Sequence, residues 1–319
     1  MDSQNKQRLE RVLKSFLIVI LAIMTVFAVV VVYLWNTLDN SYQEVERIPN
    51  NNEKNVVSNV DKNVLEEPLS ILLLGVDGNR TEVGRTDTIM LMVLNPKDKS
   101  ITEVSLPRDT YTEIVGKGYK DKVNHSMQYG IPTVIATVEN FFNIPIDYYV
   151  TIDFKGFEKV IDTIGGIEIN VDKRMKYTDV AGNLYIDLQP GLQVLNGEQA
   201  LGYARFRHDK LGDLGRIERQ KKVIKAVLDK TLDIRTTKYI FELMNIVGDH
   251  LKTDIPKADM IKILTTYRDA TSNNLSSLKV NGESKRFGEL NLWYYVVSDQ
   301  ERARLHDLLS EKLSKGQGE

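Results

Sequence analysis

Apolar residues along this chain follow two rhythms. Short, dense runs at Ile71 to Val76, Ile89 to Leu94, Ile101 to Leu106, Asp147 to Phe154, Ile167 to Val171 and Tyr203 to Arg207 have the length and content of buried strands. Between them the spacing widens to helical intervals. Pro132 is placed to open a helix in which Val134, Ile135, Val138, Phe141 and Phe142 form one stripe, core by default. Similar stripes fall at Phe157 to Ile164, Arg216 to Leu232, Tyr239 to Leu251, Lys257 to Tyr267 and Ser298 to Leu313. Strands and helices interleaved in this way predict a layered α/β domain, with a mixed central sheet covered by helices on both faces.

The N-terminal pattern differs. Lys6, Arg8, Arg11 and Lys14 precede an almost unbroken apolar stretch, 15–36, close to the roughly twenty residues a membrane helix requires. Its length, with no small-residue cleavage pattern after it, favours an uncleaved anchor over a signal peptide. Basic residues lie before the stretch and Asp39, Glu44 and Glu46 after it, so residues 1–14 are expected in the cytoplasm and the rest outside the cell. Residues 37–68 are rich in Asn and charge and read as a flexible linker, leaving 69–319 as one large extracytoplasmic domain.

Charge then narrows the chemistry. With 42 Lys and Arg against 44 Asp and Glu, the chain lacks the basic excess that nucleic-acid binding demands. It has no cysteine, which removes disulfides, thiolate metal sites and thiol nucleophiles, so any metal should be hard and oxygen-bound.

The charges that remain are placed unevenly. The connection between the first two strand runs carries Asp77, Arg80, Glu82, Arg85 and Asp87. If those strands pair antiparallel and a third returns to the same edge at "LPRDT", Asp77, Arg85, Asp87 and Arg108 gather in one cluster. Solvated loop charge is the bland explanation. Two carboxylates beside arginines also suit Mg²⁺ bridging a phosphate, with the arginine forks on the remaining oxygens.

A second constellation lies in "GYARFRHDKLGDLGRIERQKK". Read as a strand, it puts Arg205 and Arg207 on one face. A following helix stacks Arg216 and Gln220, with Arg219 offset, toward that face or toward water. Guanidiniums held so close call for an anion between them. Asp213 is an N-cap or else a general base or arginine partner. "DKVNHSMQYG" adds Lys122 as a phosphate contact, with Asn124 and His125 beside it, the His being more often structural than catalytic.

Taken in order, "LLLGVD", "GRTDTIMLMVLNP", "SLPRDT", "DKVNHSMQYG", "IDTIGGIEINV", "LQPGLQVLNGEQALGYARFRHD" and "DLGRIERQ" resemble the LytR-CpsA-Psr family of bacterial cell-envelope proteins. The resemblance implies a membrane-anchored phosphotransferase that moves a glycopolymer from an undecaprenyl pyrophosphate carrier to peptidoglycan, at the C6 hydroxyl of N-acetylmuramic acid. It further implies that Asp77 and Asp87 hold Mg²⁺, and that Arg85, Arg108, Lys122, Arg205, Arg207, Arg216 and Gln220 contact the pyrophosphate and head group. A lipid slot among apolar helices also follows from it. The base that activates the hydroxyl stays open among Asp213, Asp109, His125 and the lipid phosphate itself. Two other functions compete, a lipid pyrophosphatase and a membrane-bound regulator of envelope genes. About fourteen residues before the span are too few for a DNA-reading module.

Overall fold

The computed structural model describes residues 42–48, 62–76, 86–180, 184–209, 212–231 and 250–314. The predicted membrane stretch 15–36 and most of the predicted helix Tyr239 to Leu251 lie outside them. Leu251 itself opens a strand. Among the described residues no helix is long and apolar enough to cross a membrane.

The strands, in chain order, are β1 (Leu69–Val76), β2 (Thr86–Asn95), β3 (Ser100–Ser105), β4 (Tyr111–Ile114), β5 (Tyr119–Lys122), β6 (Tyr148–Asp153), β7 (Ile167–Val171), β8 (Met175–Asp179), β9 (Leu184–Leu188), β10 (Gly191–Leu195), β11 (Leu251–Thr253), β12 (Leu275–Leu278), β13 (Glu283–Phe287) and β14 (Leu292–Val296). The α-helices are α1 (Ile131–Phe142), α2 (Phe154–Thr163), α3 (Gly197–Arg205), α4 (Gly212–Thr231), α5 (Lys257–Thr266) and α6 (Asp299–Ser314). Six strands form the central sheet in the order β11-β6-β1-β2-β3-β12. It is mixed: β1–β2, β2–β3 and β6–β11 run antiparallel, β1–β6 and β3–β12 parallel. The expected β1–β2–β3 meander is therefore present.

Alternation along the strands divides the sheet's neighbours. Leu72, Leu74, Ile89, Leu91, Val93 and Val104 pack against Val134, Ile135, Val138, Phe141 and Phe142 of α1 and Leu305 and Leu309 of α6. Each such buried side chain contributes roughly 1.5–3 kcal/mol. The intervening residues Leu69, Ile71, Leu94, Ile101 and Tyr148 meet Ile224 and Leu228 of α4 and Met260 and Ile263 of α5. Helices thus cover both faces, as the sequence pattern predicts. A third cluster joins α2, α3 and α4 to the small strands β7 to β10.

The segment read as a linker is in part docked. Gln43 N donates to Thr253 O at 2.7 Å, Tyr149 Oη donates to Gln43 O at 2.7 Å, and Arg47 pairs with Asp254 at 2.5 Å. Lys62 Nζ reaches the Asp147 carboxylate at 2.9 Å, and Val64 is buried.

Tyr203 to Arg207 is not a strand. An Asn196–Gln199 capping box starts α3, and Ala200, Leu201, Tyr203 and Ala204 are buried along it at helical spacing. The helix ends at Arg205, and Phe206 turns to extended backbone. Arg205 and Arg207 therefore belong to a helix end and the chain after it, not to one strand face.

Candidate active site

At the end of β1 the strands come close. A Cβ on Gly75 would lie 2.9 Å from Thr88 Cβ, and the β1–β2 register shifts between Gly75 and Val76. Here the sheet borders a cleft with about 1060 Å³ of empty space, its open mouth included. Leu73, Met90 and Ile152 from the sheet, Phe154 and Phe157 from α2, Leu201 and Ala204 from α3, and Val223 and Ile224 from α4 make its apolar walls. Asp87, Arg205, Arg207, Arg216 and Gln220 supply its charge and polarity. The α1 stripe lies in the core on the other side of the sheet and does not line this cleft.

The charged end is built from three places in the chain. Asp87 on β2 accepts a short hydrogen bond from Arg108 Nη1, which the β3–β4 connection delivers, and Arg216 Nη1 of α4 stands 3.9 Å from the same oxygen. Asp213, in the first turn of α4, pairs with Arg216 at 3.0 Å and lies 3.8 Å from Arg108 Nε. It is thus an arginine partner, one of the three roles the sequence allowed it. Gln220 donates to Thr88 Oγ1 at 3.0 Å, tying α4 to β2. Arg205 lays its guanidinium 4.3 Å over the Phe154 ring.

Two acids in this cluster are pulled in opposite directions. Burial pushes the Asp87 carboxyl up, but the charge and hydrogen bond of Arg108, with Arg216 and Arg207 behind them, hold it below the usual range. For Asp213 burial prevails over Arg216 and Arg108, and its pKa is raised. Burial also pushes the Arg216 guanidinium down, against the pull of Asp213. Among the described residues, the buried Nε atoms of Arg108 and Arg216 have no hydrogen-bond acceptor. Arg108 Nε faces the Asp109 and Asp213 carboxylates, each at 3.8 Å.

Other expected residues sit further out. Lys122 Nζ bonds Asp109 at 2.8 Å and is not part of the cleft wall. His125 Nδ1 pairs with Asp121 at 2.8 Å. Arg219 faces neither phosphate nor water: it pairs with Asp209 at 2.7 Å and donates to Phe206 O, fastening the turn between α3 and α4. Asp77 and Arg85 lie outside the described residues. Sequence reading passed over Phe154 and Phe157, and also His208, which stacks on Tyr177 at 3.8 Å in the cleft wall. The aromatic pair opening "FKGF" was the available signal.

Comparison with known proteins supplies the family. The LytR_cpsA_psr family matches residues 30–311. This chain belongs to the LytR-CpsA-Psr family. Within it, the chain is similar to the polyisoprenyl-teichoic acid–peptidoglycan teichoic acid transferase TagU of Bacillus anthracis, 35% identical over 285 residues, covering 87% of this chain and 88% of that one. TagU of Halalkalibacterium halodurans is 33% identical over 289 residues, covering 88% and 91%. Among solved structures, B. subtilis TagV superposes with a TM-score of 0.69 at 31% identity, over 78% of this chain and 98% of TagV. TagT bound to LIIa-WTA gives 0.66 at 26% identity, over 84% and 100%.

Proposed function

We propose that the protein is a membrane-anchored transferase that moves a teichoic-acid-type glycopolymer from a polyprenyl pyrophosphate carrier to peptidoglycan. One observation carries this reading: an apolar cleft that ends in the Asp87–Arg108–Arg216 cluster, with Arg205 and Arg207 in its wall. A polyprenyl pyrophosphate has the matching polarity, hydrocarbon at one end and dense negative charge at the other. The names of the TagU relatives support the same polymer and acceptor.

In the reaction the acceptor hydroxyl oxygen bonds to the polymer-side phosphorus, the phosphoanhydride bond breaks, and lipid monophosphate departs. The help required is alignment and neutralisation of charge on the leaving phosphate. Arg205, Arg207 and Arg216 in the cleft wall, with Arg108 behind them on Asp87, would supply that positive charge. Asp213, its pKa raised by burial and its carboxylate beside Arg108 and Arg216, is the candidate to take the hydroxyl proton.

Mg²⁺ fits the donor chemistry. Asp87 is a hard oxygen ligand kept ionised by its arginines, and Mg²⁺ commonly takes one or two carboxylates plus substrate phosphates. Among the described residues no group of three or more potential ligands assembles, so Asp87, joined by Asp77 on the family resemblance, would hold it. The ion would supply positive charge against the pyrophosphate.

The test is a transfer assay with the full-length protein, polyprenyl pyrophosphate-linked polymer, Mg²⁺ and peptidoglycan, read by mass spectrometry. A covalent polymer–peptidoglycan phosphodiester with released lipid monophosphate is expected. Rapid hydrolysis without linkage would make the protein a pyrophosphatase. A reporter fused after Glu319 should be active only outside the cell, and cytoplasmic activity would sink the anchor topology.

A further inference from the structure

Away from the cleft, the charged cluster runs into aromatic ground. Arg108 Nε lies 3.8 Å from Asp109, Asp109 accepts from Lys122 Nζ at 2.8 Å, and that ammonium stands 5.6 Å from the centre of the Tyr294 ring. Tyr294 stacks on Phe287 with centroids 4.4 Å apart, and Tyr111 meets the two edge-on at 5.1 and 4.8 Å. The backbone fixes this neighbourhood, since Tyr295 N donates to Asp109 O at 2.8 Å. The loop carrying Arg108 is thus tied directly to β14.

The rings are not filling the core. Tyr111, Phe287 and Tyr294 are half-buried and belong to none of the apolar clusters, and they stand on two hairpins outside the central sheet. Their fringe is polar. Asp121 Oδ1 accepts from Lys122 N at 2.8 Å, and Oδ2 holds His125 Nδ1 at 2.8 Å. Flat rings bordered by a carboxylate and an ammonium suit a sugar. The ring C–H face lies on the aromatic surface, and the hydroxyls and acetamido groups reach the charged fringe.

Reaction geometry says which sugar. In a phosphoryl transfer the attacking and leaving oxygens stand roughly in line across the phosphorus. The lipid phosphate leaves toward the apolar cleft, so the acceptor hydroxyl must arrive from the opposite side of the arginine cluster. We propose that the Tyr111–Phe287–Tyr294 trio, with Lys122 and Asp121 at its edge, seats a sugar ring of the acceptor glycan strand. The assignment rests on the transferase reading above and adds where the acceptor docks.

The probe is a soluble peptidoglycan tetrasaccharide of alternating N-acetylglucosamine and N-acetylmuramic acid, titrated calorimetrically into the full-length protein in detergent. Tyr294→Leu and Phe287→Leu keep much of the volume while removing the flat face. Each should weaken tetrasaccharide binding about tenfold and raise the acceptor KM to match, with kcat retained at saturating acceptor. Trp293→Ala, on the opposite face of β14 beneath Arg286, should change neither. Wild-type binding in both Leu variants overturns the proposal. So does a loss of donor affinity in place of acceptor affinity, or an equal loss in Trp293→Ala. Tetrasaccharide binding that depends on the trio, without covalent product, would sink the transferase reading and leave the sugar seat standing. Product formation with an unaltered acceptor KM in the Leu variants would do the reverse.

Discussion

Two successive residues of β1 live in different worlds. Leu74 is fully buried among α1, α6 and the neighbouring strands, whereas Leu73 is half-buried and borders the cleft. The same contrast holds for the acids on either side. Glu139 of α1 accepts from Ile146 N at 2.9 Å, and burial pushes its carboxyl up to about 7 despite that bond and the charge of Arg47. Asp87 beside the cleft goes the other way, because arginines prevail over burial. One face of the sheet is spent on stability and the other is left partly unfilled for a ligand.

Cavity formation gives the sharpest way to break that contrast. Leu74→Ala should lower unfolding free energy by about 2–5 kcal/mol in urea titrations. Leu73→Ala, whose side chain already borders empty space, should cost well under half of that while weakening lipid binding. Equal losses of stability would mean the cleft side is packed as tightly as the other.

The acids come next. Because folding raises the proton affinity of Glu139, the native state loses stability as pH climbs from 4.5 to about 7 and stays at that deficit above it. Glu139→Gln keeps an acceptor for Ile146 N and should erase that slope, gaining on the order of 3 kcal/mol at pH 8. Thermal melts across pH would detect it, and an unchanged slope would refute the assignment.

On the cleft side the losses should appear chiefly in rate. Asp87→Asn should remove roughly 1.5–3 kcal/mol of transition-state stabilisation, one to two decades in transfer rate, and chelation of Mg²⁺ should mimic it. Full turnover in chelator would end the magnesium role. Arg205→Lys should fail nearly as badly as Arg205→Ala, by about a decade, since an ammonium reproduces neither the fork nor the stacking on Phe154. Unaltered kinetics in Arg205→Lys would show that charge alone suffices.

What the sequence made legible follows the same division. Strands with clean apolar runs and helices with regular apolar spacing announce themselves by period, which is why β1, β2, β3, β6, β7, α1, α2, α4, α5 and α6 were readable. The hairpins were not. β13 is exposed at Glu283, Ser284, Lys285 and Arg286, so no apolar alternation marks it. Tyr203 to Arg207 misled because five residues with two aromatics look like a strand, while the capping box that identifies the helix lies upstream at Asn196. Of the site, Asp87 and Arg108 were legible together through the β1–β2–β3 meander, and Arg216 and Gln220 through one helical face, but that the two sets meet was not. The apolar walls of the cleft come from three strands and three helices, and no local pattern joins them.

The docked stretch 42–48 sets how the domain bears load. Tyr42 bridges Thr253 in parallel register, and Arg47 grips Asp254 on the chain just past β11, the outermost strand of the sheet. Traction on the chain ahead of Tyr42 is therefore received at this rim. Gln43 also accepts from Tyr149 of β6, so the pull meets the next strand in at the same point. Asp87 and Arg108 sit further in, on and beyond β2, with β1 between them and the pull. The stretch thus spreads such a pull over β11, Asp254 and Tyr149 of β6, while Asp87 lies two strands further in.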